Sequence, residues 1–173
     1  MSQPLFEKVA FIGLGLIGSS LARVIQAEHL ANDIVASTRS SKTLEDAKAL
    51  GLISAGYADP VDAVKGADLI VLALPVRATQ KVLELIQPYL TENVIITDVG
   101  STKGNVVDAA KAVFGDQLPA GFVPGHPIAG AEHTGGHAGK VDLFANHKVI
   151  LTPLPSSSDW AVEKLIQLWQ AAK

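Results

Sequence analysis

The sequence predicts an α/β fold built on a doubly wound, mostly parallel sheet. Three observations predict it. Continuous apolar runs such as Val9-Ala10-Phe11-Ile12 and Leu69-Ile70-Val71-Leu72-Ala73-Leu74 have the form of strands covered on both faces. Between such runs lie stretches of helical spacing, and this alternation is what right-handed βαβ units require. A cluster of glycines, Gly13, Gly15 and Gly18, stands where the first run gives way to the first helix. At 173 residues, the length suggests a single domain over residues 1–173, with enough chain to bury a core.

The elements follow in order. After the first strand, Ile17, Leu21, Val24 and Ile25 recur at helical spacing. Ile34-Val35-Ala36 is a second strand, followed by a polar stretch over residues 37–42. Leu44, Ala47 and Leu50 mark a short helix that Gly51 can close. Ala55-Gly56-Tyr57 is a short third strand, poor in β-branched residues, and Asp59-Pro60 starts a turn or helix. The run from Leu69 to Leu74 is the strongest strand signal, with Val82, Leu83, Leu85 and Ile86 in the helix after it and Pro88 near that helix's end. Val94-Ile95-Ile96-Thr97 is a further strand, and Val106, Val107, Ala110 and Val113 suit a helix. Phe122-Val123 and Val149-Ile150-Leu151 read as two more strands. Val162, Leu165, Ile166 and Trp169 form the stripe of a last helix. That helix reaches Lys173 without a glycine or proline stop, so the reading expects a chain cut from something larger. The stripe ending at Trp169 is expected to be exposed, and to pack on the absent part.

Composition excludes several classes. With 48% apolar and 18% charged residues the chain has no basis for disorder. A net charge of −3 lacks the basic footprint of a dedicated nucleic-acid binder. With 0 cysteines, disulfides, thiolate zinc sites and cysteine nucleophiles are ruled out. No stretch approaches the roughly 18 apolar residues of a membrane span, and the segment Met1 to Lys8 lacks the pattern of a secretory signal. The expectation is a cytoplasmic protein with no nucleic-acid or membrane partner.

Gly13-Leu14-Gly15-Leu16-Ile17-Gly18 is a G-x-G-x-x-G. Its place between a strand and a helix gives it the meaning of a Rossmann-type dinucleotide fingerprint. The first glycine permits the tight turn, the second lets a pyrophosphate approach the backbone, and the third lets helix and strand pack closely. The helix amino terminus then presents N–H groups and a positive dipole end to phosphate. Ser19 and Ser20 either reach a phosphate or serve only the helix start.

The end of the second strand reads the cofactor. An acid about 20 residues past the glycines holds the ribose of NAD. Here the chain reads Ser37-Thr38-Arg39-Ser40-Ser41-Lys42. Hydroxyls and a guanidinium suit a phosphate dianion, so Thr38, Arg39 and Ser40 favour NADP, with NAD still possible. The bland alternative is a solvated polar loop.

Two further segments stand at strand ends. They are Asp98-Val99-Gly100-Ser101-Thr102-Lys103 and Gly125-His126-Pro127-Ile128-Ala129-Gly130. A histidine boxed by glycines and proline on a loop is a candidate proton acceptor near neutral pH. His133 and His137 are weaker candidates, and His29 and His147 read as surface residues. His133 and His137 are four residues apart, but they stand in a glycine-rich loop stretch rather than on a helical pattern, so no metal is expected.

With Leu74-Pro75-Val76 and the segment from Leu143-Phe144 to Pro153, these motifs make the chain resemble the prephenate and arogenate dehydrogenases of tyrosine biosynthesis, in order and over essentially its whole length. The resemblance implies an NAD(P)-dependent oxidative decarboxylation of prephenate or arogenate. It implies that His126 accepts the proton of the substrate hydroxyl and that Ser101 lies near that hydroxyl and the nicotinamide. Lys103 and Glu132 match family positions less firmly. Gly13, Gly15, Leu16, Ile17, Gly18, Leu74, Pro75 and Val76 would lie along the cofactor. The family continues into a helical second domain that forms a homodimer and binds the substrate's carboxylates. That domain is absent from this chain, so the chain alone is expected to be weakly active or inactive. Two other readings stay open: a dehydrogenase of the β-hydroxyacid or imine-reductase type, and a nucleotide-sensing domain without turnover.

Overall fold

Successive residues of each buried strand feed two different cores, one on either face of the sheet. This is visible in a computed structural model, which describes residues 3–99, 103–128 and 148–172. The strands are β1 (Phe6–Ile12), β2 (Ala31–Ser37), β3 (Ala55–Tyr57), β4 (Leu69–Leu72) and β5 (Ile95–Asp98), in the parallel order β3-β2-β1-β4-β5. Val9 and Phe11 of β1 and Leu69 and Val71 of β4 join one core with α1 (Leu16–Ala27), α2 (Ser41–Ala49) and α6 (Asp159–Ala171). Ala10, Ile12, Ile70 and Leu72 join the other, with α3 (Pro60–Val64), α4 (Val76–Ile86) and α5 (Lys103–Phe114). Each fully buried Leu or Ile contributes about 1.5–3 kcal/mol of transfer free energy, so the alternation fixes the strand register firmly.

Helix ends follow local chemistry. Asp59 caps α3 by accepting the Val61 N–H at 2.9 Å, with Pro60 in the first turn. Gly51 takes a φ of +71° just past α2. A single 3-10 turn, Gln87–Tyr89, follows α4 at Pro88. The weak third strand is present, and a β-carbon on its Gly56 would lie 2.9 Å from Leu44, so α2 packs directly on that glycine.

Three expectations change. Phe122-Val123 is not a strand; only Phe122 bridges in parallel to Ile96 of β5. Pro124 has no N–H to continue a ladder, which ends the pairing there. The Gly125-His126-Pro127-Ile128 segment, read as a loop, is strand β6 (Gly125–Ile128), antiparallel to β7 (Lys148–Leu151). Thirdly, Trp169 is only 7% exposed and belongs to the α6 core with Leu165 and Leu168. Leu165 and Trp169 of the stripe are therefore buried in this domain's own core, whereas Ile166 of the stripe and Trp160 on the same helix are exposed.

Candidate functional site

In the order β3-β2-β1-β4-β5 the chain reverses its direction of winding between β1 and β4, and ligands of open α/β sheets bind outside the strand ends at such a point. A cleft of about 970 Å³ lies there. Its floor is Ile12 at the end of β1 with Gly13, Leu14 and Gly15 after it, and Ala73, Leu74 and Pro75 after β4.

Each glycine of the fingerprint has its own geometry. Gly13 has a φ of +98°, and a β-carbon on it would lie 2.2 Å from the Ala73 carbonyl oxygen. Its N–H donates to the Ser37 carbonyl at 2.8 Å, which locks the turn to β2. Gly18 is packed on Ala73, whose side chain would be 3.0 Å from an added β-carbon. Gly15 is the N-cap of α1, and a β-carbon there would meet nothing within 4 Å. Of the three fingerprint glycines the protein thus leaves space only at the second, the position that the general fingerprint reserves for a pyrophosphate. Leu16, Ile17 and Gly18 form the first turn of α1, where backbone N–H groups lack intrahelical acceptors, although their side chains are not part of the cleft wall. Ser19 and Ser20 are buried, and the Ser19 hydroxyl donates to the Leu14 carbonyl at 3.2 Å. Ser19 thus supports the turn.

The polar stretch after β2 divides in two. Thr38 and the exposed Arg39 line the cleft, together with Ser37 and Thr43. Ser40 does not; it caps α2, its hydroxyl accepting the Thr43 N–H at 3.1 Å. Lys42 pairs with Asp46 one turn on, at 3.3 Å. Leu74 and Pro75 line the cleft, and Val76 begins α4. The opposite wall went unread in the sequence: Arg77, Ala78, Lys81, Val82 and Leu85 of α4, with Ala58 and Pro60. Arg77, Lys81 and Leu85 recur every four residues, a spacing that marks one face of α4. Among the described residues, three cations (Arg39, Arg77 and Lys81) and no carboxylate line the cleft, which suits an anionic ligand. Its volume and open glycine floor fit a dinucleotide.

His126 lies half-buried on β6, opposite Ile150 of β7. It is not part of the cleft wall. The chain before it follows β5: the Ile96 N–H donates to the Gly121 carbonyl, and the Val123 N–H to that of Ile96, both at 2.9 Å. Beyond Ile96, side chains join the connection. The Thr97 hydroxyl donates to the Val123 carbonyl at 2.7 Å, and the Gly125 N–H donates to the Asp98 carboxylate at 3.1 Å. Lys103 begins α5. Ser101, Glu132, His133, His137 and His147 lie outside the described residues. His29 is exposed, as expected. Among the described residues no cluster of His, Asp and Glu could hold a metal ion, and no helix is long and apolar enough to cross a membrane.

Fold and cleft together define a nucleotide-binding domain of the doubly wound α/β class. Residues 21–173 match the family model described as prephenate dehydrogenase, nucleotide-binding domain, and the chain belongs to that family. It is 40% identical over 168 residues to the cyclohexadienyl dehydrogenase of Zymomonas mobilis, covering 95% of this chain and 55% of that protein. It is 37% identical over 163 residues to the prephenate dehydrogenase of Bacillus subtilis, covering 94% and 43%. Among solved structures it resembles prephenate dehydrogenase from A. aeolicus in complex with hydroxyphenyl propionate and NAD+, with a TM-score of 0.86 and 27% identity over 99% of this chain and 58% of that one. Arogenate dehydrogenase from Synechocystis gives a TM-score of 0.84 at 28% identity, covering 95% and 56%. The chain spans about half the length of the curated relatives it matches.

Proposed function

We propose that the chain is the cofactor-binding part of an NADP-dependent dehydrogenase. Its reaction would be the oxidative decarboxylation of prephenate or arogenate to 4-hydroxyphenylpyruvate or tyrosine. The observation that carries the reading is the convergence of the two motif segments. Asp98 closes β5 beside Leu72 at the end of β4, Gly125 and His126 open β6, and a hydrogen bond of 3.1 Å joins Asp98 to Gly125 there, next to the end of β4 from which Leu74 and Pro75 enter the cleft.

The cleft's own residues suit each part of the cofactor. The start of α1, with its space at Gly15, suits the pyrophosphate. Val82, Leu85, Ala58 and Pro60 offer apolar surface for a base. Thr38 and Arg39 suit a ribose phosphate and offer no carboxylate to repel it. When bound, the nicotinamide supplies the hydride acceptor. His126 would take the proton of the substrate hydroxyl, which leaves the ring carbon free to release hydride. Ser101 would hold the same hydroxyl. Loss of carbon dioxide then makes the ring aromatic, so the step does not run back. The remaining length seen in the relatives would supply the cations for the substrate's carboxylates, and the homodimer contacts.

In the full-length enzyme, His126→Asn should lower turnover by about 10²–10⁴ with little change in cofactor affinity, since it removes a base and no phosphate contact. A variant that keeps most of its turnover would remove His126 from the mechanism.

A further inference from the structure

Asp98 is 3% exposed, and no other ionisable side chain among the described residues is buried. Burying a carboxylate is costly unless hydrogen bonds compensate it, so its position calls for a reason. Its Oδ1 accepts the N–H of Gly125, 27 residues on and immediately before His126. Gly125 is confined on its other sides as well. A β-carbon there would lie 3.1 Å from the Asp98 carbonyl oxygen, 3.3 Å from the Thr97 hydroxyl and 3.4 Å from Leu151. Thr97 already ties the two segments through the Val123 carbonyl, so Asp98 is not needed merely to keep them together. What it adds is a charged acceptor on the one peptide that sets where His126 begins. Pro124 has no N–H, so the Gly125 N–H is the first donor after the bridge to β5.

We propose that Asp98 is a positioning residue: its carboxylate, by holding the Gly125 N–H, fixes the start of β6 and so the placement of His126 for proton transfer. This rests on the reading of His126 as the proton acceptor. Asp98 touches neither substrate nor cofactor in this account and acts on His126 through the Gly125 peptide.

The test is a double-mutant cycle in the full-length enzyme. Asp98→Asn keeps the shape but weakens the acceptor. It should lower kcat about 10-fold, with KM and the cofactor Kd each within about twofold of the parent, because misplacing a reacting group costs rate rather than binding. Asp98→Ala, where it folds, should lose about 10²-fold. In the His126→Asn background, Asp98→Asn should cost less than about twofold, since the group it positions is gone. An unchanged kcat in Asp98→Asn overturns the proposal. So does an equal fold-loss with and without His126, which would mark a purely structural role. If His126→Asn itself keeps its turnover, the reading of His126 fails instead, and the two failures are distinct.

Discussion

Gly13 and Gly15 have the same side chain and opposite tolerances. At Gly13 the backbone is left-handed and the Ala73 carbonyl occupies the place of a β-carbon, so Gly13→Ala meets strain and a clash together. It should destabilise the domain by at least about 2 kcal/mol, read as a lower midpoint in urea. Gly15 has a φ of −78° and open space. Gly15→Ala should cost about 1 kcal/mol of stability, less than Gly13→Ala, because alanine is a poorer N-cap than glycine but meets no clash there. It should nevertheless weaken cofactor binding about 10-fold or more, since the methyl group occupies the approach to the phosphates. If Gly15→Ala binds cofactor as the parent does, no phosphate comes to that peptide.

Each element shows what its sequence made legible. The parallel strands and their helices were readable because a strand buried on both faces must be apolar throughout, as Leu69 to Leu72 is. The β6 strand was not readable, because Gly125, His126 and Pro127 carry loop chemistry. Their pairing with β7 is a contact between segments distant in the chain, which no local pattern records. The cleft's floor was legible from the glycines, whereas its α4 wall was not, because Val82 and Leu85 look like any other apolar helix face. Ser40 reads as a phosphate ligand in the sequence and is a helix cap in the structure. Ser40→Ala should therefore cost about 1 kcal/mol of stability and leave the preference between NADP and NAD unchanged in a titration of both. Trp169, expected on an exposed stripe, instead closes the α6 core. Trp169→Ala should destabilise the domain by about 3–5 kcal/mol, as measured by chemical denaturation.

At the scale of the whole molecule, two cores cover both faces of the sheet and the cleft lies within the described residues. The chain should fold and bind cofactor by itself. Turnover is a different matter, since the substrate must be held about 3–3.5 Å from the nicotinamide and its carboxylates need cationic partners. Under the proposed reaction, the chain alone should form no useful NADPH from prephenate or arogenate, and a rate near that of its longer relatives would place the substrate site wholly within residues 1–173. The central claim is that this cleft holds a dinucleotide and reads its ribose phosphate with Thr38 and Arg39. Calorimetric titration of the chain with NADP and with NAD, repeated on Arg39→Ala, tests it most directly. An Arg–phosphate contact of roughly 1.5–3 kcal/mol predicts NADP tighter by about 10-fold or more, and a gap that closes in the variant. Equal affinity for the two cofactors, tighter NAD, or a preference that survives in Arg39→Ala would contradict it.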